Sequence, residues 1–478
     1  MSQKNTILAV FIAMLLLNFS LEGTAQNNSL DLTTQEKMLY RRGVETAVWA
    51  MPLTNTLAMR NGFKDQGCGF NNVAYFSEIQ DYKASVTTPN NTTPYILSFW
   101  TLENGPVMIE IPAIENNVGL WGALMDVWQR PLADVGAKGR DKGKGAKYLI
   151  VPEGYTGQTY DADYVLTQKT KNGYTLLRPI IPDDSEKSMN LAINFTKKMK
   201  VYSVEKPKPT KHVDMANKYI DGVVHFDMSL FEMIADFIQE DKLEERDAVA
   251  LGMLRGMGIE KGVEYTPSKR EKEILSVAAK EAQEYLQDTY FDNSPKANLG
   301  NGWTVLTPAT SYQTVFNWVV ESGAMALDDR GSSYFAFFSS AEEFNLTNPP
   351  TMYLLTSRDA NGDKLKGEHT YKFTVPANCP VNQFWSVLAY EYNDATFIDN
   401  VDKYGVASTE KLEFNADGSC DIYFGPTKPK DVPESNYVPT QAGEGWFPYF
   451  RFYGPKKELF QGKYQLSKII KLNQNNMK

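Results

Sequence analysis

Apolar residues recur at near-helical spacing from Thr33 to Asn61. Leu39, Val44, Ala47, Val48 and Met51 mark the pattern, Thr33 or Thr34 can cap it, and Glu36 places an acid in the first turn. Pro52 predicts a break or kink, and Gly62 a stop. From Val73 to Leu177 the texture changes to short apolar runs between prolines and glycines. YILSFW, PVMIEIP, GLWGALMDVW and AKYLIVPEGY are the clearest strands there. Helical texture returns between Asp183 and about Ser294, where Ser229 to Glu232 and Ser268 to Glu271 each match a capping box. Beyond Gly302 the chain alternates again: HTYKFTV, QFWSVLAYEY, GSCDIYFGP and PYFRFYGP read as strands, and Asn361-Gly362 and Asp417-Gly418 as hairpin turns.

This order predicts an α+β protein in which a helical connector joins two β-rich domains, the second a sandwich. The boundaries fall at residues 26–182 for an N-terminal helix plus β-rich domain, 183–294 for the connector and 295–478 for the C-terminal β-sandwich. Residues 1–25 read differently. Lys4 precedes the apolar run Ile7 to Leu17, and Gly23-Thr24-Ala25 supplies the small residues a signal peptidase reads. The run is shorter than the about 20 residues a bilayer requires. It predicts a cleaved export signal with Gln26 first in the mature chain, hence a periplasmic or extracellular protein without an integral membrane segment after cleavage.

Composition adds limits. With 42% hydrophobic and 22% charged residues the chain can bury ordinary cores, and its net charge of -9 offers no basic footprint for nucleic acid. Three cysteines make no disulfide scaffold, although Cys379 and Cys420 could face each other across a sheet.

Several segments carry a family resemblance. Pro89 to Tyr95 (PNNTTPY), Gly105-Pro106-Val107, Asp126-Val127-Trp128 and Lys147 to Pro152 resemble the N-terminal domain of unknown function 1254. Asp359 to Gly362, Phe384-Trp385-Ser386, Asn415 to Gly418 and Arg451 to Pro455 resemble the C-terminal domain of unknown function 1214. The two occur together in many bacterial, often exported, proteins. The resemblance implies two β-sandwich or jelly-roll-like domains joined by helices, and no settled activity. Relatives usually carry aspartate at the position of Thr92, so a carboxylate role there does not carry over to this chain.

Known chemistries find little footing. The sequence contains no HExxH and no G-x-S-x-G, which removes those zinc-protease and serine-hydrolase patterns. His212 and His225 each open a His-x-Asp, but Asp227 stands where a helix N-terminus favours an acid. Asp359 to Asp363 begins like a calcium loop yet lacks its glycine spacing and its terminal glutamate, so a hairpin turn is expected. Gly136 to Lys147 (GAKGRDKGKGAK) is either a solvated loop or an anion-binding lip. No metal and no cofactor is predicted. Carboxylate pairs such as Asp161 and Asp163 read as surface acids.

The expected site is a pocket for a small organic or amphipathic molecule. Asn90, Asn91, Tyr95, Asp126 and Trp128 would supply amides, a phenol, a carboxylate and a stacking face, with proximity as the condition. Hydrolysis of the bound molecule is one outcome. The alternative is a non-catalytic ligand- or carbohydrate-binding module of the cell envelope. The catalytic residues, and whether the protein is an enzyme, stay open, and a homo-oligomer is compatible with the sequence.

Overall fold

The computed structural model describes residues 31–115, 118–181, 185–241, 244–293, 297–298, 300–305, 318–320, 322–336 and 351–472. The expected export signal lies outside them. The first helix, Thr34–Asp65, starts on the predicted cap: Thr33 Oγ1 accepts from the Glu36 amide, and the Glu36 carboxylate accepts from the Thr33 amide. Pro52 sits inside this helix without ending it. An interior proline costs about 3 kcal/mol or more. Burial on both sides of it opposes that cost, since Ala47 to Met59 are nearly all closed to solvent.

The N-terminal β region contains a six-stranded and a four-stranded sheet. The six strands lie in the order His212–Asp214, Val73–Tyr75, Ile96–Thr101, Asn172–Ile180, Gly119–Asp126 and Pro131–Gly136. The four are Lys200–Ser203, Val107–Ile111, Ala146–Pro152 and Tyr164–Gln168. Ile96, Trp100, Leu120, Leu124 and Leu177 of the larger sheet share one apolar core with Val107, Ile109, Tyr148 and Ile150 of the smaller. The alternating residues Leu97, Phe99, Ala123, Met125 and Tyr174 point the other way, onto Met59 and Phe63 of the first helix.

The C-terminal region repeats the plan. Its six-stranded sheet runs Ala297–Asn298, Thr304–Val305, Thr351–Leu355, Trp446–Tyr453, Trp385–Glu391 and Gly405–Ala407, and its four-stranded sheet Tyr437–Pro439, Cys420–Gly425, Tyr371–Val375 and Ile470–Lys471. Val387, Phe450 and Phe452 of one sheet meet Phe373, Ile422 and Phe424 of the other. The opposite face of the larger sheet, through Leu388, Tyr390, Phe447 and Tyr449, joins a core with the helices Thr34–Asp65, Met228–Glu240, Lys269–Asp288 and Leu327–Phe335. The molecule is thus an α+β protein with two β-rich regions and helices packed between and beside them.

Two local expectations need correction. Residues 183–221, expected to be connector helix, also contain strands: Lys200–Ser203 pairs with Val107–Ile111, and His212–Asp214 runs parallel to Val73–Tyr75. The connector therefore begins only after the N-terminal sheets are complete. The helix Met228–Glu240 is capped by Asp227, whose carboxylate accepts from the Ser229 amide and hydroxyl, instead of by Ser229. The second predicted capping box, Ser268 with Glu271, forms as expected.

Candidate functional site

The strand Trp446–Tyr453 (WFPYFRFY) is closed to solvent at every position. Alternation sends Trp446, Phe450 and Phe452 into the C-terminal sandwich and Phe447 and Tyr449 to the opposite face. Arg451 shares that opposite face. Register places it between Tyr353 on one neighbouring strand and Ser386 on the other. Arg178 is its counterpart in the N-terminal region. On the strand Asn172–Ile180 it follows the parity of Tyr174 and Leu176, so it points away from its own sandwich core. Trp121, half-buried on the adjacent strand, stands directly opposite Arg178.

These outward faces meet. Arg178 donates through Nη2 to the Tyr95 hydroxyl at 2.6 Å, with its guanidinium carbon 5.0 Å from the Tyr95 ring. Arg451 donates through Nη2 to the Tyr390 hydroxyl at 2.6 Å, and that hydroxyl donates to the Pro89 carbonyl at 2.6 Å. The Arg451 guanidinium carbon also lies 5.6 Å from the rings of Tyr353 and Tyr390 and 6.0 Å from that of Tyr449. Thr92 and Tyr453 bring their hydroxyls to 3.1 Å across the same boundary, and the Tyr453 ring stacks on Phe384.

Charge balance marks this cluster, in which two arginines share one set of tyrosines. Arg451 is only 3% exposed, and its Nε and Nη1, like the neighbouring Ser386 hydroxyl, have no hydrogen-bond partner among the described residues. Among the described residues no carboxylate pairs with Arg178 or Arg451. Buried charges are ordinarily paired, because an isolated one loses its hydration without return. The two guanidiniums act on Tyr353. Burial pushes its phenol up, but Arg178 and Arg451 together outweigh that and hold it below the usual phenol range. Tyr95 and Tyr390 are shifted upward, chiefly by burial, and remain neutral phenols.

The sequence-predicted site residues separate into two places. Asn90 is buried and closes its own turn: Oδ1 accepts from the Thr92 amide at 3.0 Å and hydroxyl at 2.7 Å, and Nδ2 donates to Thr93 Oγ1 at 3.2 Å. Asn91 is half-buried in that turn, and Tyr95 leaves it for Arg178. Asp126 and Trp128 lie at the far end of the sheet. Asp126 is opposite Gly173, five residues along the strand from Arg178. At 3.3 Å per residue that is about 16 Å.

There Asp126 accepts from the amides of Trp128 and Arg130 and from Arg130 Nε, and Arg130 continues to Glu244 with two further bonds. Trp128 packs on Trp49 and Phe237 beside a void of about 10 Å3, room for about one water. This end is a bonded structural network.

Other candidates resolve into turns. The Asp141 carboxylate accepts from the Gly136 and Gly145 amides, so it occupies backbone donors that the glycine-rich loop would offer an anion. Asp359 Oδ1 accepts from Asn361 and Asp363 amides, closing the predicted turn. His225 contacts Asp221, and His212 the Met199 carbonyl. Cys68, Cys379 and Cys420 are free. An open recess of about 570 Å3 beside Glu232, Asp236 and Glu264 lies on the helical part, away from both arginines.

Arg178 and Arg451 were not singled out from the sequence as site residues, yet Arg451 carried a signal. An arginine within eight residues that are otherwise aromatic or proline has no polar face to occupy, so its charge has to be met inside the protein.

The comparisons agree with this two-part plan. Residues 70–203 match the protein of unknown function DUF1254, and residues 350–457 match the protein of unknown function DUF1214. No curated protein matches the sequence. The crystal structure of the VPA0106 protein from Vibrio parahaemolyticus is similar, with a TM-score of 0.53 at 16% identity over 91% of this chain and 100% of that one. An uncharacterised protein from Burkholderia cenocepacia aligns with a TM-score of 0.40 at 10% identity, over 91% of this chain and 95% of that one. The first likeness bears on the fold alone. The chain carries the two domains in the order its sequence suggested, and belongs to the proteins that pair DUF1254 with DUF1214.

Proposed function

We propose that this is an exported protein that binds a small organic anion between its two β-rich regions. The observation that carries the reading is the pair of guanidiniums, half-buried Arg178 and buried Arg451, without a carboxylate partner among the described residues. An anionic head group would meet Arg178 and the Tyr353 hydroxyl, with the charge of Arg451 directly behind. Its organic part has Trp121 and the tyrosine rings as apolar walls.

Binding through these groups requires no nucleophile. Thr92, the hydroxyl beside Tyr453, is already engaged by Asn90. The reading favours an anion over a neutral carbohydrate because two guanidiniums face the site; Trp128, Trp385 and Trp446 are buried in cores, which leaves half-buried Trp121 as the tryptophan wall.

The test is calorimetric titration of the mature protein, beginning at Gln26, with small carboxylates and phosphates, repeated on Arg178→Met. Saturable binding that the substitution weakens supports the proposal. Binding that is absent, or indifferent to Arg178, overturns it.

A further inference from the structure

The cluster also constrains the charge of its ligand, an inference that rests on the anion-binding reading above. Every described group identified around the two guanidiniums is neutral in its ordinary form: Tyr95, Tyr353, Tyr390, Tyr449 and Tyr453, with the hydroxyls of Thr92 and Ser386. Tyr353 lies within reach of both cations: its ring is 5.6 Å from the Arg451 guanidinium carbon, and Arg178 acts on its phenol as well. The two positive charges are therefore no farther apart than one side chain can bridge, and one small ligand can answer both.

A monoanion would leave one guanidinium uncompensated in an enclosed site, where interactions between charges are strongest. We propose that the ligand is a dianion, a phosphate monoester or a dicarboxylate, whose two charges are met by Arg178 from one β-rich region and Arg451 from the other. The shared requirement is two negative charges within a few ångströms of each other, which both classes satisfy.

The experiment uses the mature protein and four probes: glycerol phosphate, dimethyl phosphate, succinate and propionate. A phosphate monoester gains its second charge near pH 6, whereas the diester never does. Glycerol phosphate should bind about tenfold more tightly at pH 7.5 than at pH 5, and dimethyl phosphate equally weakly at both. Succinate above propionate at pH 7.5, with glycerol phosphate no better than dimethyl phosphate, assigns the site to dicarboxylates; the reverse assigns it to phosphates.

Arg178→Lys should retain the preference in part and Arg178→Met should abolish it, which separates charge from packing without disturbing the fully enclosed Arg451. Equal affinity for the singly and doubly charged members of both pairs overturns the dianion inference while leaving the anion site standing. Failure of all four probes to bind in an Arg178-dependent way overturns both.

Discussion

The hydroxyl of Thr92 lies 3.1 Å from that of Tyr453, although 361 residues separate them in the chain. The contact ties the turn leading into the strand Ile96–Thr101 to the last residue of the strand Trp446–Tyr453, beside Arg451. A carboxylate at position 92 would add a negative charge to a cluster with an excess of positive charge. Thr92→Asp should therefore weaken anion binding roughly tenfold while leaving the fold intact, as read by titration and circular dichroism. Unchanged affinity would show that the ligand does not sense this edge of the cluster.

Arg178 is half-buried and Arg451 is enclosed, and their substitutions should differ accordingly. Loss of a charge-assisted hydrogen bond is worth about 1.5–3 kcal/mol, so Arg178→Met should lower anion affinity about 10- to 100-fold. Its melting temperature should change little. Arg451→Met should alter stability as well, because it removes the donor to Tyr390 and three ring contacts. Denaturant unfolding of both variants distinguishes the two roles.

Asp126 gives the opposite prediction. Its carboxylate holds two backbone amides and the Arg130 guanidinium within the fold. Asp126→Ala should destabilise the protein by about 3 kcal/mol in urea unfolding, since it leaves buried donors unpaired. Anion affinity should stay as in the wild type, given the about 16 Å to Arg178. A selective loss of binding in a stable variant would return Asp126 to the site.

Glu391 supplies a pH dependence. Burial, reinforced by Asp394, Asp399 and Glu444, pushes its carboxyl up from 4.5 to about 7. A raised acid holds its proton more tightly in the folded state, so its contribution to stability is fullest below pH 4.5 and is lost as pH rises toward 7. Glu391→Gln should be more stable than the wild type at pH 8, by up to about 3 kcal/mol, and no more stable at pH 4. Chemical denaturation at the two pH values reads the difference, and an equal effect at both would exclude titration of Glu391 as its cause.

Burial pushes the thiols of Cys68 and Cys379 up to about 12 and that of Cys420 up to about 11. None is a competent nucleophile near neutrality. The native protein should react negligibly with a thiol-specific chromogen, and the unfolded chain should release three equivalents, one for each free cysteine. A single fast-reacting thiol in the native state would contradict the burial of these residues.

Much of the local chemistry was legible in the sequence. The cap at Thr33, the capping box at Ser268, the turn at Asp359 and the asparagine turn at Asn90 all depend on groups no more than four positions apart, whereas the box expected at Ser229 gave way to a cap at Asp227. Pro52 did not break the helix, because its effect depends on what surrounds the helix, and tertiary burial outweighed propensity there. The short strands at Lys200 and His212 were missed for a related reason: each has only three or four residues and is held by a partner distant in sequence. The arginine cluster was the least accessible, since its members come from Tyr95, Arg178, Tyr353, Tyr390 and Arg451. Only register and sheet parity bring them together.

Because Arg178 stands on one sheet and Arg451 on another, neither β-rich region carries both guanidiniums of the proposed site. A fragment ending after the helical segment would present Arg178 and Tyr95 to water, and a fragment beginning there would strand Arg451 among tyrosines with the Pro89 carbonyl missing. A change on one side of this seam has to be matched on the other.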